Sequence, residues 1–229
     1  MVDADATRRF YGRWAGLYDR VATAPGVGAW RAAATDALAL SPGETVVEMG
    51  CGTGANLPYL RERVGPDGRV VGVDVTRGVL DRARRRVERR GWRNVHPVQA
   101  DATRVPVDGP VDAVLGTFVC GMFPDPRGTV EGWLDLLAPG GRIALLDAGQ
   151  SDRVAAAPLN LAFRAFVLAS NPGRPRERLR RAVDGEGPWA TLDERIAAAS
   201  AAVTDRCVDR QSATFALGFV RLVAGRIPD

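Results

Sequence analysis

The sequence predicts an α/β fold in which a mostly parallel sheet carries helices on both faces and closes with an antiparallel hairpin. Three observations predict it. Short apolar runs alternate with helical patterns between residues 45 and 148, the pattern of strands joined by crossover helices. The first run leads directly into glycines at alternate positions, Gly50, Gly52 and Gly54, which suits a strand that turns into a helix around a ligand. Near the end of the chain two alternating segments lie too close in sequence for anything but an antiparallel connection.

The elements follow in order. A helix is expected over residues 7–22, and the first strand over 45–49. The turn "GPDG" introduces a second strand at 69–75, and the third and fourth fall at 95–100 and 111–118. The segment "GVLDRARRRVERR" spaces Val79, Leu80, Ala83 and Val87 as one helical face and leaves its arginines on the other, which reads as a solvated surface. A fifth strand, "GRIALLDA", follows the turn "APGG". The alternation then breaks over 151–188 into an apolar helical stretch and "NPGRPRERLRR", which reads as an inserted, substrate-covering segment. "TLDERIAAASAAV" resumes as a helix with Thr191 as its cap, and the closing strands are expected at 205–212 and 214–224. A chain of 229 residues in this pattern is expected to form one domain, with 1–40 as a helical lid, 41–150 as a ligand-binding half, 151–188 as the insertion and 189–229 as the closing helix and hairpin.

Composition narrows the function. Hydrophobic content of 46% and charged content of 25% are those of an ordinary globular chain. The start "MVDADATRRF" has no export pattern, and the apolar stretch "APLNLAFRAFVLAS" is interrupted by Arg164 and too short to span a bilayer. Cys51, Cys120 and Cys207 are odd in number and lack metal-ligand spacing, which fits reduced thiols in a cytoplasm. There is no lysine, so Schiff-base chemistry on a lysine is excluded, and the net charge of +4 is too small to indicate nucleic acid.

Glycine spacing leaves the ligand open, because "GCGTGA" also satisfies the dinucleotide fingerprint. Glu48, two residues before the first glycine, discriminates. A carboxylate about 6 Å from a pyrophosphate is opposed by roughly 3 kcal/mol per unit charge at an effective dielectric of 20, whereas an ammonium ligand is attracted. Asp74, twenty residues beyond Gly54, suits the hydroxyls of any nucleoside ribose.

Together these motifs resemble the class I S-adenosylmethionine-dependent methyltransferases over most of the chain. "VVEMGCGTG" is similar to the family's cofactor loop, "VVGVDVT" to its ribose-binding strand end, "QADATRVP" to its adenine-side acidic turn and "LLAPGGRIALLD" to its fifth-strand entry. The resemblance implies a Rossmann-like seven-stranded sheet, S-adenosyl-L-methionine as cofactor and S-adenosyl-L-homocysteine as product. It implies that Glu48 meets the amino end of the cofactor, its carboxylate lies on N–H groups of the loop formed by Gly50, Cys51, Gly52, Gly54 and Asn56, Asp74 and Val75 border the ribose, Asp101 and Ala102 the adenine, and Thr117 and Phe118 the methyl. Cys51 is then a small loop residue and not a nucleophile.

The stretch "FYGRWAGLYDRVA" resembles the opening of ubiquinone and menaquinone C-methyltransferases and of related lipid methyltransferases, phospholipid N-methyltransferases among them. By that resemblance Tyr11, Trp14 and Tyr18 offer aromatic faces to the sulfonium or dock the helix, with Tyr18 and Asp19 as the matching pair. Asp147, at the carboxyl end of the fifth strand, is the candidate to orient or deprotonate an acceptor, or else a hydrogen-bonded strand-end acid. His96 falls at the start of its strand and reads as structural. "GTFVCGMF" stands where exocyclic-amine methyltransferases carry an Asn/Asp-Pro-Pro-Tyr tetrapeptide. The expected acceptor is therefore a small or lipid-like molecule of quinone or phospholipid type; the insertion either covers an apolar acceptor and meets a phosphate or the membrane surface peripherally, or is a lid with a solvated edge, and no nucleic acid is expected. A nicotinamide-dependent oxidoreductase and a non-catalytic nucleoside-binding module are the alternatives.

Overall fold

The computed structural model describes residues 26–107, 109–170 and 188–229, and of residues 166–170 and 188 it describes the backbone alone. The helix expected over 7–22, with Tyr11, Trp14, Tyr18 and Asp19, lies outside the described residues, as does the arginine-rich stretch that begins at residue 171.

Seven strands form one sheet: β1 (Thr45–Met49), β2 (Arg69–Asp74), β3 (Val95–Gln99), β4 (Val111–Thr117), β5 (Leu137–Ala148), β6 (Val208–Phe215) and β7 (Val220–Arg226), in the order β3-β2-β1-β4-β5-β7-β6. All neighbouring pairs from β3 to β5 are parallel, and β7 runs antiparallel to both β5 and β6. The order reverses between β1 and β4, which opens a crevice at their carboxyl ends where ligands of such sheets bind.

Side-chain alternation on the strands divides the core into two layers. Val46, Val70, Leu115 and Leu146 face α1 (Val27–Asp36), α2 (Leu57–Val64) and α3 (Arg77–Arg89), packing with Ala34, Leu57, Leu60, Ala83 and Val87. Val47, Met49, Val73, Val114, Ile143 and Leu145 face the other way, where Trp133 of α4 (Pro126–Leu134) and Ala199, Ala202 and Val203 of α6 (Pro188–Arg206) cover them. The face expected on α3 is the one observed, since Val79, Leu80, Ala83 and Val87 are its buried residues.

Three boundaries differ from expectation. Thr191 is not a cap, because α6 already begins at Pro188. Proline is well placed at a first helical position, and the buried Trp189 beside it anchors that turn. The closing hairpin turns three residues later than expected, at Ala216, Leu217 and Gly218, all with positive φ. Alanine and leucine give no turn signal in a sequence, and α6 runs to Arg206, displacing the start of β6 to Val208. β5 also includes the "APGG" turn, where its pairing with β4 jumps from Val111↔Leu137 to Ala113↔Arg142.

The apolar stretch of the insertion forms α5 (Ala157–Ser170). Its base is tied down beside β5 by Gln150, whose backbone and side-chain nitrogens each donate to the Asp193 carboxylate of α6 at 2.9 Å, and by Arg164, whose Nε donates to Gln150 Oε1 at 2.5 Å. Among the described residues no helix is long and apolar enough to cross a membrane.

Candidate functional site

The carboxyl ends of β1 and β4 bring four polar side chains together. Glu48 lies two residues after Val46 and Thr117 two after Leu115, so both point to the face covered by α1 and α2. Asn56 stands just before the first residue of α2, yet its amide serves the site and not the helix end. Its Nδ2 donates to Glu48 Oε1 at 2.6 Å and to Thr117 Oγ1 at 2.8 Å, while its Oδ1 accepts from Arg31 Nη1 at 2.8 Å. That uses both amide donors and fixes the orientation of the group. The same Arg31 nitrogen is 3.4 Å from Thr117 Oγ1, and the guanidinium lies 5.4 Å from the centre of the Phe118 ring.

Arg31 is the functional residue that sequence reasoning missed. Val27, Arg31, Ala34 and Thr35 are the buried residues of α1, at the spacing of one helical face. The readable signal was one arginine within an otherwise small and apolar stripe, a position where a charge persists only with a partner.

Glu48 is 1% exposed, and its second oxygen, Oε2, is buried without a hydrogen-bond partner among the described residues. Burial pushes its carboxyl up to about 7, against the lowering effects of the Asn56 hydrogen bond and the Arg31 charge. An anion held there with one unpaired oxygen is prepared for a cationic donor.

The glycine loop completes this wall. Gly52 and Gly54 have φ of +54° and +77°, in the left-handed region. A Cβ on Gly54 would fall 2.6 Å from Leu57 Cδ1 and 3.2 Å from Ala83 Cβ, whereas one on Gly52 would meet no described atom within 4 Å. Gly54 thus packs the loop against its own helices, and at Gly52 no described residue fills the space from which a ligand can approach the chain's backbone. The loop differs from expectation in its amides. Cys51 N–H donates to Val73 O, Gly54 N–H to Cys51 O and Gly52 N–H to Asp74 Oδ2 at 2.9 Å. These three donors are taken by the end of β2 and by the loop itself, and two guanidinium groups reach the corner: Arg31 at Asn56, and Arg86, whose Nη1 donates to Gly54 O at 3.1 Å. Cys51 is buried, and burial together with the nearby Glu48 charge pushes its thiol well above the ordinary range, as befits a packing residue.

Asp74 ends β2 and accepts from Gly52 N–H with one oxygen and from Thr76 N–H with the other, at 2.8 Å. Burial raises its carboxyl, and those two amide bonds oppose the rise. Each oxygen keeps a second lone pair for a further donor. Val75 beside it is half-buried, and its carbonyl accepts from Gln99 Nε2.

Asp101 follows β3 and is exposed, with Oδ1 accepting from the amide and hydroxyl of Thr103, both at 2.9 Å. Ala102 is buried, and its carbonyl accepts from the Trp133 indole at 2.7 Å. Asp101 and Ala102 therefore lie beyond the β2 end, and their hydrogen bonds run to Thr103 and Trp133 and not to the Glu48 cluster.

Asp147 is placed differently from the other candidates. It follows Leu145 by two residues and so points to the opposite face of the sheet from Glu48. It is 5% exposed, its Oδ1 accepts from Cys120 N–H at 3.3 Å, and burial pushes it up to about 6. His96 is the second residue of β3, paired with Val71 and remote from the carboxyl ends.

Comparison with known proteins agrees with this arrangement. A methyltransferase-domain family matches residues 46–141, the stretch from β1 into β5. The chain is 30% identical over 171 residues to the phosphatidylethanolamine N-methyltransferase of Cereibacter sphaeroides, covering 72% of this chain and 79% of that one. It is 36% identical over 134 residues to a demethylmenaquinone methyltransferase of Clavibacter sepedonicus, covering 57% and 53%. Of three other curated relatives the chain spans 29, 36 and 47% of the length. Among solved structures, the N-methyltransferase NodS of Bradyrhizobium japonicum, in complex with S-adenosyl-L-homocysteine, has the same fold with a TM-score of 0.60 at 18% identity, covering 92% of this chain and 91% of that one. The antiparallel strand beside β5, the acid preceding the glycine corner and the extended match to a methyltransferase of similar length lead to one assignment: the chain belongs to the class I S-adenosylmethionine-dependent methyltransferases.

Proposed function

We propose that the chain transfers the methyl group of S-adenosyl-L-methionine to a small or lipid-like acceptor of quinone or phospholipid type. The observation that carries the reading is the buried Oε2 of Glu48, without a hydrogen-bond partner among the described residues, beside a glycine loop where no described atom covers Gly52. Glu48 receives the ammonium of the cofactor, and Arg31 faces its carboxylate in place of the loop amides. Asp74, with Val75, accepts from the ribose hydroxyls, Asp101 and Ala102 border the adenine, and Thr117 and Phe118 close the methyl end. Gly50, Cys51, Gly52, Gly54 and Asn56 shape the corner, and Tyr11 and Tyr18 are proposed to cover it from the N-terminal stretch.

The cofactor supplies an electrophilic methyl on a sulfonium, and its departure as a neutral thioether needs no acid. The residues then act by positioning and by keeping water from the sulfonium. A dinucleotide is disfavoured on two counts: Glu48 opposes a pyrophosphate, and the amides of Cys51, Gly52 and Gly54 are already engaged.

Calorimetric titration tests the cofactor. Saturable binding of S-adenosylhomocysteine with no response to nicotinamide dinucleotides is the expected result, and the reverse pattern would refute the reading. Methyl transfer from labelled cofactor into a lipid and metabolite extract, followed by mass identification, names the acceptor. A chain that binds the cofactor but labels nothing in such extracts is a binding module.

The lipid-like class is supported by the surface of the insertion, where Val154 is 92% and Leu161 70% exposed and Leu159 and Arg164 are exposed as well. We propose peripheral contact with a membrane through these residues. Leu161→Glu is expected to weaken sedimentation with phosphatidylglycerol vesicles about tenfold, as removal of one leucine from an apolar contact predicts. Unchanged sedimentation would remove the membrane from this face.

A further inference from the structure

We propose that Asp147 is a positioning residue that seats the turn after β4 against the glycine corner, and so sets cofactor affinity from the opposite face of the sheet. The inference rests on the cofactor reading above.

The turn opens at Phe118, a non-glycine residue with φ of +56°, whose N–H still continues the ladder to Leu146 O at 2.7 Å. That bond places the next residues over the end of β5. Cys120 N–H then donates to Asp147 Oδ1 at 3.3 Å. Between these two anchors stands Val119, 3% exposed. A Cβ on Gly50 would fall 2.6 Å from Val119 Cγ2, so the valine occupies the space that any other residue at position 50 would need. Gly50 itself has φ of +70°. The first glycine of the corner is thus in contact with a side chain whose height is fixed by Asp147.

The turn is gripped from α6 as well. Leu192 packs against Gly121, leaving no room for a Cβ there, and Arg195 Nη1 donates to Gly121 O at 3.3 Å. Arg221 lies opposite Asp147 in the β5–β7 register, but its guanidinium is given to the Gln150 carbonyl. Cys120 is fully buried, and among the described residues Asp147 Oδ1 accepts from its amide, so a merely space-filling residue at position 147 would leave that buried donor without this acceptor.

The experiment is a double-mutant cycle on Asp147 and Val119, read by calorimetric affinity for S-adenosylhomocysteine and by urea unfolding of each variant. Asp147→Ala is expected to weaken binding about tenfold, because the unpaired Cys120 amide moves the turn, and Val119→Ala about fivefold. The double variant is expected to lose about tenfold, not the fiftyfold of independent sites, since both act through one contact. Asp147→Asn keeps an acceptor for Cys120 N–H and is expected to stay within about threefold of wild type in affinity and in kcat. Multiplying losses, or wild-type affinity in Asp147→Ala, would overturn the proposal. So would Asp147→Asn that binds normally and loses kcat a hundredfold, because that is the behaviour of a general base. Should Asp147→Ala not fold, Val119→Ala and Asp147→Asn still decide: wild-type affinity in Val119→Ala overturns the contact. A wild-type chain that binds no S-adenosylhomocysteine overturns the cofactor reading itself, an outcome distinct from all of these.

Discussion

Replacing Glu48 by glutamine is expected to weaken S-adenosylhomocysteine binding about 30- to 100-fold, and to stabilise the unliganded protein at pH 8. Both effects come from one carboxylate. In the complex it accepts a charge-assisted hydrogen bond from an ammonium, an interaction worth about 1.5 to 3 kcal/mol that a neutral amide cannot reproduce. Without ligand the same group is a buried anion with an oxygen that has no partner among the described residues. Its carboxyl is pushed from 4.5 up to about 7, chiefly by burial, and each unit of such a shift corresponds to about 1.4 kcal/mol. Ionised Glu48 therefore costs the empty protein on the order of 3 kcal/mol. Glutamine removes that cost and keeps the acceptor for Asn56, but its own amide hydrogens lack a partner where Oε2 now lies, so a net gain of about 1 to 2 kcal/mol is expected.

The sign of the pH dependence follows from the direction of the shift. The folded protein holds the Glu48 proton more tightly than the unfolded chain does, so wild-type stability falls as pH rises from 4.5 through about 7 and then levels off. The glutamine variant lacks this slope. The glutamine midpoint is expected to lie above the wild-type midpoint at pH 8 and below it at pH 5, the order reversing between, while affinity for the ligand amine declines in the wild type below pH 7 as the carboxylate is lost. Equal affinities for wild type and Glu48→Gln would take the ammonium away from this carboxylate.

What the sequence revealed and what it hid have a common physical basis. Glu48, Asp74 and the three glycines were legible because a strand followed by a glycine turn fixes their relative positions through local geometry. The buried face of α3 was legible because its 3.6-residue period is carried by four apolar side chains among arginines. Arg31 was not, since its role depends on α1 crossing the ends of β1 and β4, a long-range contact to Asn56 and Thr117 that no local pattern encodes. The face to which Asp147 points was legible in principle from alternation along β5, but not the seating of Val119 on Gly50, which joins residues 69 positions apart. The late turn at Ala216 and Leu217 escaped because the chain spends two non-glycine residues in the left-handed region there. Such strain is sustained by tertiary contacts and is invisible to propensity.

The glycine corner itself supplies the second large effect, as a contrast between neighbours. Gly52→Ala is expected to leave the protein folded but to weaken S-adenosylhomocysteine binding about 100-fold, whereas Gly54→Ala is expected to lose about 2 to 5 kcal/mol of stability. Both positions have positive φ, so each alanine carries about 1 to 2 kcal/mol of backbone strain. They differ in what the new methyl meets. At Gly54 it would press on Leu57 Cδ1 at 2.6 Å and on Ala83 Cβ at 3.2 Å, in a layer where Leu57 is fully buried and has nowhere to retreat. Overpacking of that kind costs about 1 to 3 kcal/mol beyond the strain. At Gly52 no described atom lies within 4 Å of the methyl, so the unliganded fold loses only the strain. The open space is where the ligand must approach the Gly52 backbone, whose amide is already bonded to Asp74, and a methyl placed there excludes it. Urea unfolding with and without S-adenosylhomocysteine separates the two outcomes. Gly52→Ala should unfold below the wild-type midpoint by the strain alone and gain little from ligand, and Gly54→Ala should unfold earlier still yet regain stability as ligand is added. A Gly52→Ala protein that binds as tightly as wild type would move the cofactor off this corner.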